Sequence, residues 1–496
     1  MSYFLGIDIG SSSVKVCLLD GDSQMVVARA SAPNAEAPIK ALKSGWAEQE
    51  PADWWSYLKT ALHELSSKSK VSSDNIVAVG ITYQMHGLVL VDENMDVLRP
   101  SIIWCDSRAV PYGNRAQKEL GDEYCLSHLL NGPGNFTAAK LAWVRENEPE
   151  IFKKVHKFML PGDYIAMRMT GEVRTTLSGL SEGMFWDFLE GGVSGNLMNS
   201  LGIPAEMLPE CVPTFGIQGR LTAEAAAELG LREGTVVSYR AGDQPNNALS
   251  LNVLNPGEVA ATAGTSGVVY GISDKVCTDP KSRVNIFAHV NHSSEAVRLG
   301  VMHCTNGVGI LNAWMRRMVA ADKDYEQFNA MAAAAPVGSA GVSVLPFGNG
   351  AERILENRQI GASVHGLNFN IHDANTLARA AQEGVAFSFK YGMDIMQSVG
   401  MNTDVIRAGH ANMFLSPVFC STLATVSGAV IELYNSDGAF GAAIGAALGC
   451  GFYASPEEAF SSLEKIMVME PDMNNNAQCT DAYCRWLSIL ERELKY

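Results

Sequence analysis

No Cys-x-x-Cys pair occurs among the ten cysteines of this 496-residue chain. Thiols so dilute in a long chain read as reduced, packed side chains rather than a disulfide framework, and the expected compartment is the cytoplasm. Positive charge is scarce: 37 Lys and Arg stand against 53 Asp and Glu, a net charge of −16. That balance excludes a general polyanion binder, which needs a Lys/Arg face to release counterions from DNA or RNA. The opening Met1-Ser2-Tyr3-Phe4-Leu5-Gly6 has no basic region before an apolar run and small-residue site, so no secretory signal is expected. Long Leu/Ile/Val runs are lacking too. One stretch without charge, Gly438 to Pro456, is mostly Gly and Ala, too weakly apolar for a membrane span. Gly441, Gly445 and Gly449 recur there at i, i+4 and i+8, a smooth stripe on a helix that a close-packed neighbour would cover.

Several nucleotide and hydrolase signatures are also missing. No Gly-Lys-Ser/Thr of a P-loop occurs, and Gly449-Cys450-Gly451-Phe452-Tyr453-Ala454 follows a Gly/Ala helix instead of opening a βαβ unit. Gly179-Leu180-Ser181-Glu182-Gly183 has the spacing of a nucleophile elbow, but the Leu-Ser-Gly before it does not read as a buried strand and no His-Gly-Gly segment appears. His289, His292 and His303 are joined by no carboxylate or cysteine at metal-ligand spacing.

What is present is a pseudo-repeat. Tyr3 to Asp20 reads as two β-rich runs around the turn Gly10-Ser11-Ser12-Ser13, and Val259 to Gly271 as two more around Gly264-Thr265-Ser266. Superposed, Gly10 falls on Gly264, Ser11 on Thr265, Ser12 on Ser266, and Asp8 on Thr262. Each hairpin is followed by helical patterns alternating with short apolar runs, the mark of α/β architecture. Asp53 is expected to cap a helix with Trp54, Leu58, Leu62 and Leu65 on its inner face, ahead of a strand from Ile76 to Thr82. Leu377, Ala381, Val385, Ser388, Gly392, Ile395 and Val399 keep helical spacing until Gly400 stops the run. No Pro- or Ser-rich linker divides the chain, and the pseudo-repeat alone sets the boundary near Asp243 to Leu254.

A Gly-hydroxyl turn gathers backbone N–H and side-chain OH groups into an anion cradle, although either turn alone is equally an ordinary hairpin turn. Two polar clusters follow strand-like runs: Tyr83-Gln84-Met85-His86-Gly87, and Arg240-Ala241-Gly242-Asp243-Gln244-Pro245-Asn246-Asn247. Strand ends in α/β proteins face the ligand crevice, so both clusters are placed to meet a polyhydroxylated substrate. Spacing equally allows His86 as a turn histidine and Asp243 as a helix cap.

Together these pieces resemble the FGGY family of carbohydrate kinases over nearly the whole chain. The resemblance rests on Asp8-Ile9-Gly10-Ser11-Ser12-Ser13-Val14-Lys15, on Gly264-Thr265-Ser266, and on Arg407-Ala408-Gly409-His410-Ala411-Asn412. Gln84-Met85-His86-Gly87, Trp104-Cys105-Asp106-Ser107-Arg108 and Gly45-Trp46-Ala47-Glu48-Gln49-Glu50-Pro51 are similar to its xylulose-phosphorylating branch. It implies two ribonuclease-H-like domains of the actin-like ATPase superfamily with a cleft between them, residues 1–245 carrying the sugar site and first phosphate loop and residues 246–496 the nucleotide site. It implies Asp243 as catalytic base and Asp8 as the anchor of Mg²⁺, directly or through water. It implies Gly10, Ser11, Ser12, Ser13, Lys15, Gly264, Thr265, Ser266, Gly307, Gly409 and Asn412 at ATP, and Met85, His86, Asp106, Asp243 and Gln244 at the sugar. The implied reaction is phosphorylation of D-xylulose at O5, with sedoheptulose or ribulose as rival ketoses, a non-catalytic nucleotide or sugar sensor as the other class of answer, and a homodimer as a family tendency.

Overall fold

The computed structural model describes residues 1–495, which fall into two compact units. The first comprises Met1–Asn252, Phe287–Leu299 and Asp437–Ser462, and the second Val253–Ile286, Gly300–Ser436 and the chain from Leu463 onward.

The first unit is built on strands β1 (Tyr3–Ile9), β2 (Val14–Asp20), β3 (Val26–Ala32), β4 (Ile76–Tyr83), β5 (Phe215–Arg220) and β6 (Val236–Gly242), in the sheet order β5-β6-β4-β1-β2-β3. β1 and β2 are antiparallel around the Gly10–Ser13 turn, whereas β1, β4 and β6 run parallel. Apolar residues continue on both faces of these three strands, as a sheet covered on both sides demands. Helix α1 (Pro51–Ser69) buries Trp54, Leu58, Leu62 and Leu65. It begins before the expected cap: Pro51, with φ preset for a first turn, opens the helix, and Asp53 lies inside that turn. Helix α2 (Asp243–Ser250) starts directly at the end of β6.

The rest of the chain supplies β7 (Val259–Ala263), β8 (Gly267–Ser273), β9 (Asn285–Ala288, its last two residues counted with the first unit), β10 (Leu299–Thr305, its first residue likewise), helix α3 (Gly309–Val319), helix α4 (Ala374–Ser398), β11 (Val405–Gly409) and β12 (Val430–Tyr434). With the later strand Lys465–Met469 they form the sheet order β9-β10-β8-β7-β11-β12 and then that strand at the edge. β7 and β8 are antiparallel around Gly264–Ser266, and β7, β11 and β12 run parallel, which repeats the plan of the first sheet. α4 ends at Ser398, one residue short of the expected Val399, and the chain turns away at Gly400, whose φ of +93° only glycine adopts readily.

From the second unit the chain returns to the first as helix α5 (Gly438–Gly449). On one side α5 lies against β1 and β4 at two glycines: a Cβ on Gly6 would stand 1.8 Å from the Ala439 carbonyl oxygen, and one on Gly80 2.0 Å from that of Ala442. Its own glycine stripe faces β6 and α2, Gly441 meeting Asn246 and Ser250, Gly445 the Tyr239 ring and Gly449 the Ser238 carbonyl. The uncharged Gly/Ala stretch is therefore a helix clasped within the first unit. Among the described residues no helix is long and apolar enough to cross a membrane, and every cysteine is free.

Candidate active site

The parallel register of β1, β4 and β6 brings their carboxyl ends to one edge of the first sheet. Ile9 pairs with Tyr83 and Tyr83 with Gly242, so Asp8, the Gln84–His86 segment and Asp243 emerge side by side. Such an edge is where open α/β sheets bind ligands.

Asp243 is the first residue of α2, directly after β6. Its carboxyl is pushed up to about 7, first by burial and then by the charge of Asp8, against hydrogen bonds from its own and the Gln244 backbone and from the Gln244 side chain. The Asp8 carboxyl is pushed up to about 6 by burial, with Lys15, its cross-strand partner, pulling it down and Asp437 pushing it up. Gly438 lies against Asp8, since a Cβ there would come within 2.8 Å of Oδ2. The Gly10–Ser13 turn is closed by the Gly10 N–H donating to the Ser13 carbonyl at 3.1 Å. Trp104 Nε1 donates to Ser11 Oγ at 3.4 Å.

Beyond β4, Met85 is buried and packs on the backbone of Gly242, next to Asp243. His86 takes φ = +62°, rare for a residue with a side chain. Its N–H donates to Glu182 Oε2 at 3.0 Å, its Nδ1 lies 2.9 Å from the Glu182 carbonyl oxygen, and its own carbonyl accepts from Lys140 Nζ at 2.7 Å. Gln49 ties the two clusters together: Nε2 donates to the Ser11 carbonyl at 2.7 Å, and Oε1 accepts from Gln84 Nε2 at 3.0 Å.

Asp106, expected at the sugar, is fully buried. Its oxygens accept from the Ala47 N–H at 2.6 Å and from the guanidinium and N–H of Arg108. Arg108 also reaches Glu48, and its guanidinium lies 3.8 Å over the Trp46 ring. The Gly45–Pro51 and Trp104–Arg108 motifs are thus two halves of one buried ionic brace, and the Asp106 carboxylate is committed to it.

In the second unit the Gly264–Ser266 turn is held by α3, whose Gly309 N–H donates to the Gly264 carbonyl at 2.8 Å and whose Ile310 N–H donates to that of Thr265 at 3.3 Å. Gly307 passes so close to Pro346 that a Cβ would stand 1.6 Å from its carbonyl oxygen. β7 pairs with β11 up to Ala261 and Ala408, which brings Gly409 and the left-handed Asn412 (φ = +54°) to the same end, Asn412 Nδ2 lying 3.8 Å from the Cβ position of Gly264. The Gly179–Gly183 segment is no elbow: Leu177–Glu182 is a short helix capped by Thr176, and Ser181 Oγ accepts from the Ala288 N–H at 2.8 Å.

Models of the FGGY family of carbohydrate kinases match the chain twice, the N-terminal domain over residues 3–250 and the C-terminal domain over residues 259–452. The chain belongs to the FGGY family of carbohydrate kinases. This carbohydrate kinase is 32% identical over 467 residues to the xylulose kinase of Bacillus subtilis (strain 168), which covers 92% of the chain and 90% of that relative. It is 29% identical over 485 residues to the xylulose kinase of Escherichia coli (strain K12), with 97% and 96% covered. The solved xylulose kinase of Rhodospirillum rubrum superposes with a TM-score of 0.87 at 26% identity, over 100% of both chains. Both sheet-bearing units of the kinase thereby take the actin-like ATPase fold.

Residue spacing does not point to two residues that the fold of the kinase brings to His86. Glu182 is buried and its carboxyl is held well above the usual carboxylate range, first by burial. Lys140 is buried with its ammonium on the Ile103 and His86 carbonyls, and burial draws its pKa down to about 8. Glu182 falls inside the Gly179–Gly183 segment, whose elbow spacing points to Ser181 and not to the carboxylate, and Lys140 belongs to no local motif; only the charge of each beside apolar residues hints at a buried role.

Proposed function

We propose that the protein transfers the γ-phosphoryl group of ATP to O5 of D-xylulose, giving D-xylulose 5-phosphate in the cytoplasm. The observation that carries this reading is the desolvated Asp8–Asp243 pair at one strand-end edge, flanked by the Gly10–Ser13 turn and by Met85 and His86. Relatives named xylulose kinase, similar along almost the whole chain, support the choice of sugar. In this reading Asp243 accepts the proton of the attacking hydroxyl, and a carboxyl poised near 7 suits a base that works at neutral pH. Gln244 orients that carboxylate through its side chain. The turn Gly10–Ser13 with Lys15, and in the second unit Gly264–Ser266, Gly307, Gly409 and Asn412, bind ATP through N–H and OH donors. Residues 1–245 then carry the sugar-binding groups and first phosphate loop, and the nucleotide-binding groups beyond them come from 246–496, which also lends residues 287–299 and 437–462 to the first unit.

Among the described residues no group of three or more His, Cys, Asp or Glu is arranged to hold a metal. One or two carboxylates beside phosphate oxygens and waters is the environment Mg²⁺ accepts, and the Asp8–Asp243 pair fits it. Asp8 would hold the ion, which when bound offsets charge on the β- and γ-phosphates.

The test is ADP release with ATP and D-xylulose, D-ribulose, L-ribulose or sedoheptulose, read as ratios of kcat/KM. D-xylulose should lead the panel. A higher ratio for another ketose would reassign the sugar, and hydrolysis that no sugar stimulates would point to a nucleotide switch.

A further inference from the structure

His86 is held at three points by two buried residues remote from it in sequence. Its N–H donates to Glu182 Oε2 at 3.0 Å, its carbonyl accepts from Lys140 Nζ at 2.7 Å, and its Nδ1 meets the Glu182 carbonyl at 2.9 Å. The first two bonds stabilise a left-handed backbone (φ = +62°) that a residue with a Cβ adopts only under constraint. The third sets the chemistry of the ring. A carbonyl oxygen only accepts, so Nδ1 carries the hydrogen and in the neutral imidazole Nε2 is the acceptor nitrogen. The Phe136 and Phe287 rings, centred 4.8 and 5.4 Å from the imidazole, fix its plane.

We propose that Glu182 and Lys140 are positioning residues for the acceptor sugar, which lock His86 as the Nδ1–H tautomer so that Nε2 accepts a hydrogen bond from a ketose hydroxyl. The proposal rests on the reading that His86 meets the ketose. It also explains two costly buried groups that phosphoryl transfer itself does not use. A sugar analogue lacking the hydroxyl that Nε2 receives should show a raised KM.

The wild-type protein tests the tautomer without any substitution. In ¹⁵N-histidine-labelled enzyme at neutral pH, the His86 resonances, assigned by their loss in His86→Asn, should show a protonated Nδ1. An Nε2–H tautomer overturns the proposal while leaving the sugar assignment standing. Kinetics read the clamp next. Removing one acceptor or donor of a buried hydrogen bond should raise KM for D-xylulose about tenfold in Glu182→Ala and Lys140→Met, with KM for ATP within about twofold of wild type. Glu182→Gln keeps a carbonyl acceptor for the His86 N–H, so it should retain most of the wild-type KM and remain informative where the alanine variant does not fold. Equal rises in both KM values, or none in either, overturn the proposal. An unchanged KM for every ketose in His86→Asn removes the sugar reading and the proposal with it.

Discussion

At the residue scale the chemistry turns on two carboxyls that share a desolvated edge. Asp243 must be ionised to accept a proton, so kcat/KM for the ketose should rise with pH and flatten above about 7, where its carboxyl titrates. A flat profile from pH 5.5 to 8 would remove Asp243 as the base. Asp243→Asn should lower kcat by roughly 10²- to 10⁴-fold while isothermal titration finds ATP affinity within about twofold of wild type. The same shift has a sign for stability. The Asp8 and Asp243 carboxyls are raised above their ordinary 3.8 in the folded protein, so the folded state holds more protons than the unfolded one between about pH 4 and 7. Stability of the ligand-free protein should therefore fall as pH rises through that window, and Asp243→Asn should melt higher than wild type at pH 8, by on the order of 1–2 kcal/mol. A lower melting temperature for that variant would show that the carboxylate stabilises the fold.

At the scale of elements, two devices place the site. One is backbone-to-backbone contact between the first sheet and α5. Because a Cβ on Gly6 or Gly80 would meet carbonyl oxygens of Ala439 or Ala442 at 1.8 and 2.0 Å, Gly80→Ala should destabilise by about 3 kcal/mol or more. Urea melts of Gly80→Ala beside Gly195→Ala, an exposed position with open space around it and no left-handed backbone, separate this packing cost from the general effect of replacing a glycine. The other device is the Gln49 amide between the Ser11 carbonyl and Gln84. Gln49→Leu keeps the volume and breaks both bonds, together with those to the Pro38 carbonyl and from Trp54 Nε1, and should raise KM for ATP and ketose together by roughly three- to tenfold. A rise confined to one substrate would mean that the amide supports only one of the two segments.

At the scale of the molecule, the first unit is discontinuous in sequence. Its α5 comes from residues 438–449, and without it the Gly6 and Gly80 faces of β1 and β4 lose their cover. A fragment of residues 1–252 should therefore show no cooperative urea transition, while a chain that joins residues 1–252 to 437–462 through a flexible linker should regain one. Cooperative unfolding of the shorter fragment would contradict the account of α5 as an integral part of that core.

What residues near each other in sequence decide was legible before folding. The two Gly-hydroxyl hairpins, the helix face Trp54–Leu65, the long helix ending at Gly400 and the polar clusters after Thr82 and Tyr239 follow from local periodicity and turn chemistry, because strands and helices repeat on a scale of two to four residues. The Gly441–Gly445–Gly449 stripe likewise announced close packing, although not its partner. Only tertiary structure decided that α5 belongs with β1 and β4, that the Asp106 carboxylate is consumed by Arg108 and Ala47, and that Glu182 and Lys140 converge on His86 across 96 and 54 residues. Burial and buried hydrogen-bond partners depend on which segments chain topology brings together. A side chain's neighbours in space leave no imprint on its neighbours in sequence.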